Sequence, residues 1–249
     1  MKKVLSFVLA LSLVFALVAC GETKDDPAVK SEGVMTYQQY ADAALDAEVT
    51  IEAYVQAKQG WWEKDGVGVA TIYTQDTEGA YFIYEMPISK EDYDKLTKGA
   101  KIRVKGYKAE FHGEVEIIDA TYEILEGNYA PEAVDLTNVF GTDDLIKKQN
   151  MFFTVKNAVV AASTDADGNE VAFLYNWDGS GQDGSDLYFN VKIGEATYNF
   201  TVESYLCGKD TDVYKAVKAL NVGDTINLEG FLYWYDGVNP HITAVSAAN

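Results

Sequence analysis

Two stretches decide the fold: Leu96-Thr-Lys-Gly99-Ala-Lys-Ile102-Arg-Val104-Lys-Gly106 and Leu220-Asn-Val-Gly223-Asp-Thr-Ile226-Asn-Leu228-Glu-Gly230. They lie over one another at a constant offset of 124 residues. The register continues without a gap through Phe111 and Tyr235, Gly113 and Gly237, Ile118 and Ile242, and Ala120 and Ala244. The chain therefore contains two copies of one unit.

Outward from the first copy, residues 49–57, 67–74 and 80–86 are rich in β-branched and aromatic residues, and Gln75 to Gly79 supplies a turn between the last two. The period then changes. Ser89 with Glu91 and Asp92, followed by Tyr93 and Leu96 at helical spacing, predicts a short helix. Strands at 101–111 and 114–125 complete the unit around His112-Gly113. The second copy repeats the order with strands at 151–161, 171–177 and 186–193, room for an added strand at 195–202, a helix near 211–220, and strands at 225–235 and 241–245. Glu126 to Pro131 reads as the linker between them.

Five strands with one helix between the third and fourth, and the Gly-x-x-Ile-x-Val/Leu-x-Gly pattern on the fourth, are similar to the OB-fold. The glycines at 106 and 230 fit positions where a bent barrel strand coils without room for a Cβ. The fold expected is all-β with short helices: two OB-fold-like five-stranded Greek-key barrels in tandem. The resemblance covers nearly all of the chain beyond its N-terminus and looks like exported bacterial proteins carrying tandem OB domains. It specifies fold far better than function, because such barrels serve single-stranded nucleic acid, oligosaccharide and protein ligands alike.

The N-terminus carries an address. Met1-Lys2-Lys3 precedes an uncharged run from Val4 to Ala19, shorter than the roughly 20 residues that span a bilayer. The run ends at Leu17-Val18-Ala19-Cys20-Gly21, which resembles the bacterial lipobox. That resemblance implies cleavage before Cys20, lipidation of its thiol and anchoring at the extracytoplasmic face of the cell membrane, since several acyl chains such as palmitate hold where one does not. The expected organisation is a lipoprotein signal peptide at 1–19, a flexible tether at 20–34, a first OB-like domain at 35–127 and a second at 128–249.

The chain carries 20 Lys and Arg against 39 Asp and Glu, and Arg103 is its one arginine. Nucleic-acid binders gain affinity from Lys and Arg on phosphates, so nucleic acid is not an expected partner. Cys20 and Cys207 are the two cysteines, and lipidation of the first leaves no disulfide framework; Cys207 reads as a buried thiol.

No G-x-S-x-G, H-E-x-x-H, C-x-x-C or G-x-x-x-x-G-K sequence is present, and His112 and His241 fall at different aligned positions. An enzyme is not expected. Asp165, Asp167 and Asn169, around Gly168, resemble the start of a calcium loop but lack the glutamate at the twelfth position, where Asn176 stands. The same residues suit a hairpin turn.

Aromatic residues are the remaining lead, with 17 Tyr, 11 Phe and 4 Trp. Adjacent Trp61 and Trp62 follow the first strand, so at least one is expected to face solvent. On an OB ligand face, Tyr73, Tyr81, Tyr175, Trp177, Tyr188, Trp234 and Tyr235 would join them; the alternative is that these rings fill the barrels. The expectation is a non-catalytic surface lipoprotein binding an envelope glycan or protein. Its alternatives are an extracellular single-stranded nucleic-acid binder and an assembly module of an envelope complex.

Overall fold

A computed structural model of the chain describes residues 26–248; the expected signal peptide and the expected lipidation site at Cys20 lie outside them. The first barrel comprises β1 (Glu48–Lys58), β2 (Val67–Gln75), β3 (Ala80–Pro87), β4 (Ala100–Phe111) and β5 (Glu114–Asn128). β1 pairs antiparallel with both β2 and β4, β2 with β3, and β4 with β5. A parallel contact between β3 and β5, Ile83 opposite Ile117, closes the circle. Helix α1 (Tyr37–Asp42) precedes β1 and inserts Tyr40 into the core; α2 (Lys90–Lys95) joins β3 to β4. Ser89 caps α2, its hydroxyl accepting from the Asp92 amide at 3.1 Å, and Leu96 is buried just beyond the last turn.

The second barrel has the same plan: β6 (Phe152–Ala161), β7 (Leu187–Ile193), β8 (Ala196–Val202), helix α3 (Asp212–Lys218), β9 (Thr225–Phe231) and β10 (His241–Ala247). β6 pairs with β7 and β9, β7 with β8, β9 with β10, and β8 meets β10 in parallel at Thr201 and His241. Both circles therefore have OB-fold strand order.

The repeated sequence is explained by this geometry. Ile102, Val104, Ile226 and Leu228 point inward and are buried, each contributing about 1.5–3 kcal/mol relative to exposure. Gly106 and Gly230 sit at irregularities in the pairing of the last two strands. A Cβ on Gly106 would stand 2.7 Å from the Ile118 carbonyl oxygen, and one on Gly230 would stand 2.2 Å from that of His241. Only glycine lets these strands cross so closely.

Two expectations change. In the second unit, residues 171–177 form no barrel strand; they contribute only short pairings at Glu170–Val171 and Leu174–Tyr175. The second and third barrel strands are β7 and β8, joined by a tight turn at Gly194 with φ 61°. Strand β7 wins because Leu187, Phe189, Val191 and Ile193 alternate into the core, whereas the preceding segment packs on that core through Ala172, Phe173 and Tyr175 with only Leu174–Tyr175 paired to β7, and the loop leading into β7 is fastened to α3. There the Tyr214 hydroxyl donates to Ser185 O at 2.9 Å and accepts from Gly184 N at 2.8 Å, and Lys218 pairs with Asp183 at 2.5 Å. The predicted flexible tether is also shorter than 20–34. Lys30 reaches the first barrel, where its ammonium binds Asp76 at 2.6 Å and the Glu52 carbonyl at 2.7 Å, because a fully buried aspartate needs a cation.

The barrels share a small core of their own. Tyr73 and Phe82 pack on Phe231, with Phe152, Leu206 and Tyr233 around them. Polar groups lock the junction: Gln75 Oε1 accepts from Phe152 N at 2.9 Å, Gln149 Nε2 donates to Gly113 O at 2.7 Å, and Glu114 Oε2 accepts from Trp234 N at 2.9 Å. The two equivalent hairpin tips also meet. His112 and Asp236, one repeat apart, both adopt φ 52°, and His112 Nδ1 lies 2.9 Å from Asp236 Oδ1.

Candidate ligand cleft at the domain junction

The loop after β1 turns back through a short strand, Trp62–Lys64, paired with the start of β2. Asp65 and Gly66, both at positive φ, make the tight turn. This pairing sends the adjacent tryptophans in opposite directions. Trp61 lies against Gly68, where a Cβ would come within 2.4 Å of its ring, and its indole N–H donates to Ile88 O at 2.9 Å. Trp62 faces outward and is 44% exposed.

Across β2 and β3 the register shifts between Ala70 and Ile72, and Glu85 takes φ 42°. The shift is a bulge, tied by the Glu85 amide donating to Thr71 Oγ1 at 3.2 Å. It places Tyr84 and Glu85, neighbours in sequence, together beside Trp62. From the second barrel the turn after β8 brings Glu203 and Tyr205, anchored by the Gly60 amide donating to Tyr205 O at 2.9 Å. Gln59, Gly60, Trp62, Thr71, Tyr84, Glu85, Glu203 and Tyr205 line one cleft of about 440 Å³.

The walls differ electrostatically. Glu85 is paired with Lys64. Glu203 is buried, and among the described residues it has no ion pair; Oε2 accepts from Gln59 Nε2 at 3.0 Å and Oε1 from Tyr205 N at 3.2 Å. Burial, reinforced by the charge of Asp186, pushes its carboxyl up to about 7. Glu116, on β5, is likewise buried and raised to about 7, by burial first and by Glu85 second.

The nine aromatic residues singled out in the sequence do not share one face. Tyr73 and Tyr81 are both buried and leave the ligand surface: their strand positions point into a junction and a barrel that sequence alone does not place. Tyr73's hydroxyl is 2.7 Å from His241 Nδ1. Burial raises the tyrosine and lowers the imidazole to about 3, so both are neutral and share one hydrogen bond whose direction follows the imidazole tautomer. Tyr81 donates to Asp76 Oδ2 at 2.8 Å beside Tyr40. Tyr175 and Trp234 are half-buried against the second core, and Tyr188 is half-buried on β7. Trp177 is exposed on its loop, and Tyr235 stacks on His112 at 4.4 Å. Trp62 alone of the nine lines the cleft. Its companions Tyr84, Tyr205, Gln59, Glu85 and Glu203 carry no sequence signal, since a bulge and an interdomain turn bring them together.

The candidate calcium loop is a hairpin turn. Asp165 Oδ1 accepts from the amides of Asp167 and Asn169 at 3.0 and 2.8 Å. Among the described residues no group of three or more His, Cys, Asp or Glu is placed to hold a metal ion. Cys207 is buried, which pushes its thiol up to about 11.

No family model matches the chain, and no curated protein matches it. Solved structures similar to it include a murine DNA binding protein bound with ds DNA, at 11% identity and a TM-score of 0.37 over 80% of this chain and 96% of that one. An Ifi202 HINa domain in complex with 20bp dsDNA is similar at 12% identity and a TM-score of 0.35, over 82% of this chain and 100% of that one. A Replication Protein A heterotrimer bound to ssDNA gives 12% identity and a TM-score of 0.34 over 89% of this chain and 52% of that one. The expectation of no nucleic-acid partner is not matched by this set, whose three members are solved on double- or single-stranded DNA. Its physical weakness was that whole-chain charge does not report the field at one face.

Proposed function

We propose that this chain is a non-catalytic binding protein, carried on the outer face of a membrane by lipid at Cys20, that holds an envelope glycan in the cleft between its barrels. The observation that carries the reading is the meeting of three exposed rings, Trp62, Tyr84 and Tyr205, supplied by both barrels. A sugar presents an apolar C–H face to such rings, while its hydroxyls find Gln59, Glu85 and Glu203 at the cleft walls. The polar groups sit on strands and an anchored turn, so little ordering is needed on binding. Single-stranded nucleic acid is the second reading, favoured by the same planes, because base stacking on aromatic rings is indifferent to sequence.

The test is titration of the full chain and of Trp62→Ala and Tyr205→Ala with a glycan panel, followed by calorimetry. Both variants are expected to lose binding at least about tenfold; undiminished glycan binding in both removes the reading. Salt-sensitive retention of oligo-dT that both substitutions abolish would put the second reading first. For the anchor, an alkyne-palmitate label is expected on the full chain and absent from Cys20→Ser.

A further inference from the structure

We propose that the cleft selects a ligand bearing an organic ammonium group, and that among glycans it favours an amino sugar whose nitrogen is not acetylated. This rests on the cleft being the ligand site.

Five carboxylates are buried among the described residues, and of the three without a cation, Glu114, Glu116 and Glu203, only Glu203 lines the cleft. Asp76 and Glu52 are each 1% exposed, and each has a cation: Lys30 at 2.6 Å for the first, Arg103 at 2.7 Å for the second. Burying an ionised carboxylate without such a partner is costly. Glu203 is 8% exposed, lines the cleft, and has no cation within ion-pair distance among the described residues. Its hydrogen bonds come from neutral donors, the Gln59 side-chain amide and the backbone N–H groups of Tyr205 and Leu206. A carboxylate offers about four acceptor positions, so part of this group's capacity is open towards the cleft.

The aromatic walls add the second half. Trp62, Tyr84 and Tyr205 expose 44%, 42% and 72% of their surface. Ring faces attract a cation within about 6 Å of the centroid, tryptophan most strongly. Rings plus an uncompensated carboxylate complement an ammonium group better than a neutral hydroxyl, which can stack and hydrogen-bond but cannot pair the charge. The other charged groups around the site fit: Asp186 adds negative charge near Glu203, and the one cation on the Trp62 strand, Lys64, is occupied by Glu85. An ammonium seated at Glu203 stabilises the ionised carboxylate, so binding at pH 6 expels the proton that burial favours there.

The experiment compares a fully deacetylated glucosamine hexamer with its N-acetylated counterpart, by calorimetry on the detergent-solubilised full chain at pH 7. The deacetylated form is expected to bind at least about tenfold tighter, and Glu203→Gln to reduce that preference to under about threefold. Tyr205→Ala, at an exposed position that does not threaten the fold, is expected to weaken both oligomers. Equal affinity, preference for the acetylated form, or a preference that survives Glu203→Gln overturns the ammonium inference while leaving the cleft as a glycan site. No heat with either oligomer overturns this inference, and the glycan panel then judges the cleft reading by itself. At pH 6, binding heats that do not vary with the ionisation enthalpy of the buffer count against it as well, because no proton is then released.

Discussion

Gly230→Ala puts the geometric account of the repeat under direct strain. The added methyl would stand 2.2 Å from the His241 carbonyl oxygen and 2.8 Å from Ile242 Cα. Both are backbone atoms of β10, which is paired to β9 and to β8, so neither can swing aside as a side chain would. Overpacking a filled interior costs about 1–3 kcal/mol, and a clash with paired backbone belongs at the upper end, about 3 kcal/mol. For a chain of this size that corresponds to a fall in Tm of roughly 6–12 °C. Gly208→Ala is the matched control. Its Cβ would meet nothing closer than Ser204 O at 3.7 Å, and its φ is not in the left-handed region. Reduced freedom of the unfolded chain makes that change neutral to slightly stabilising, by up to about 1 kcal/mol. Urea unfolding monitored by tryptophan fluorescence reads both. If Gly230→Ala lies within about 0.5 kcal/mol of the parent, or Gly208→Ala falls as far, the close-crossing explanation is wrong.

Stability is expected to decline from about pH 5 to pH 7. His241 is held neutral by burial, at about 3 instead of 6.5, so its share of stability is complete above pH 6.5 and lost as pH falls towards 3. Glu116 and Glu203 act oppositely: raised from 4.5 to about 7, they contribute stability that is complete below pH 4.5 and lost as pH rises through 7. Two carboxyls, joined by the raised Glu114, outweigh one imidazole across that window, and a urea midpoint that rose from pH 5 to 7 would contradict this. Trp61→Ala, which removes an inward ring and its hydrogen bond to Ile88, should destabilise by about 2–4 kcal/mol, whereas Trp62→Ala should cost under about 1 kcal/mol; equal losses would mean the two rings are misassigned. In a Cys20→Ser protein, a maleimide should modify Cys207 only once urea unfolds the chain, and stoichiometric labelling of the native protein would refute its burial.

The barrel plan was legible because its strongest signals are local and occur twice. Gly99, Ile102, Val104 and Gly106 each had a counterpart 124 residues on, and each pair occupies equivalent places in the two barrels. The serine cap at Ser89 likewise announced α2. Strand order in the second unit was harder. Residues 171–177 have a strand's composition, yet only Leu174 and Tyr175 pair with β7, and only the turn at Gly194 distinguishes the true hairpin. The site was least legible. Tyr73 and Tyr81 carry the same ring as Tyr84, but register and a bulge decide which faces solvent. Glu203 meets Gln59 across 144 residues, a proximity that no spacing rule contains. The tether likewise looked featureless until Asp76 gave Lys30 a buried partner.

Hydrogen–deuterium exchange of the full chain, with and without a saturating glycan from the panel, tests the shared cleft most directly. Protection is predicted at residues 59–62, 84–85 and 203–206 together, because one ligand bridges both barrels. Protection confined to one barrel, or centred on the hairpin tips at His112 and Asp236, would contradict a binding site built by their junction.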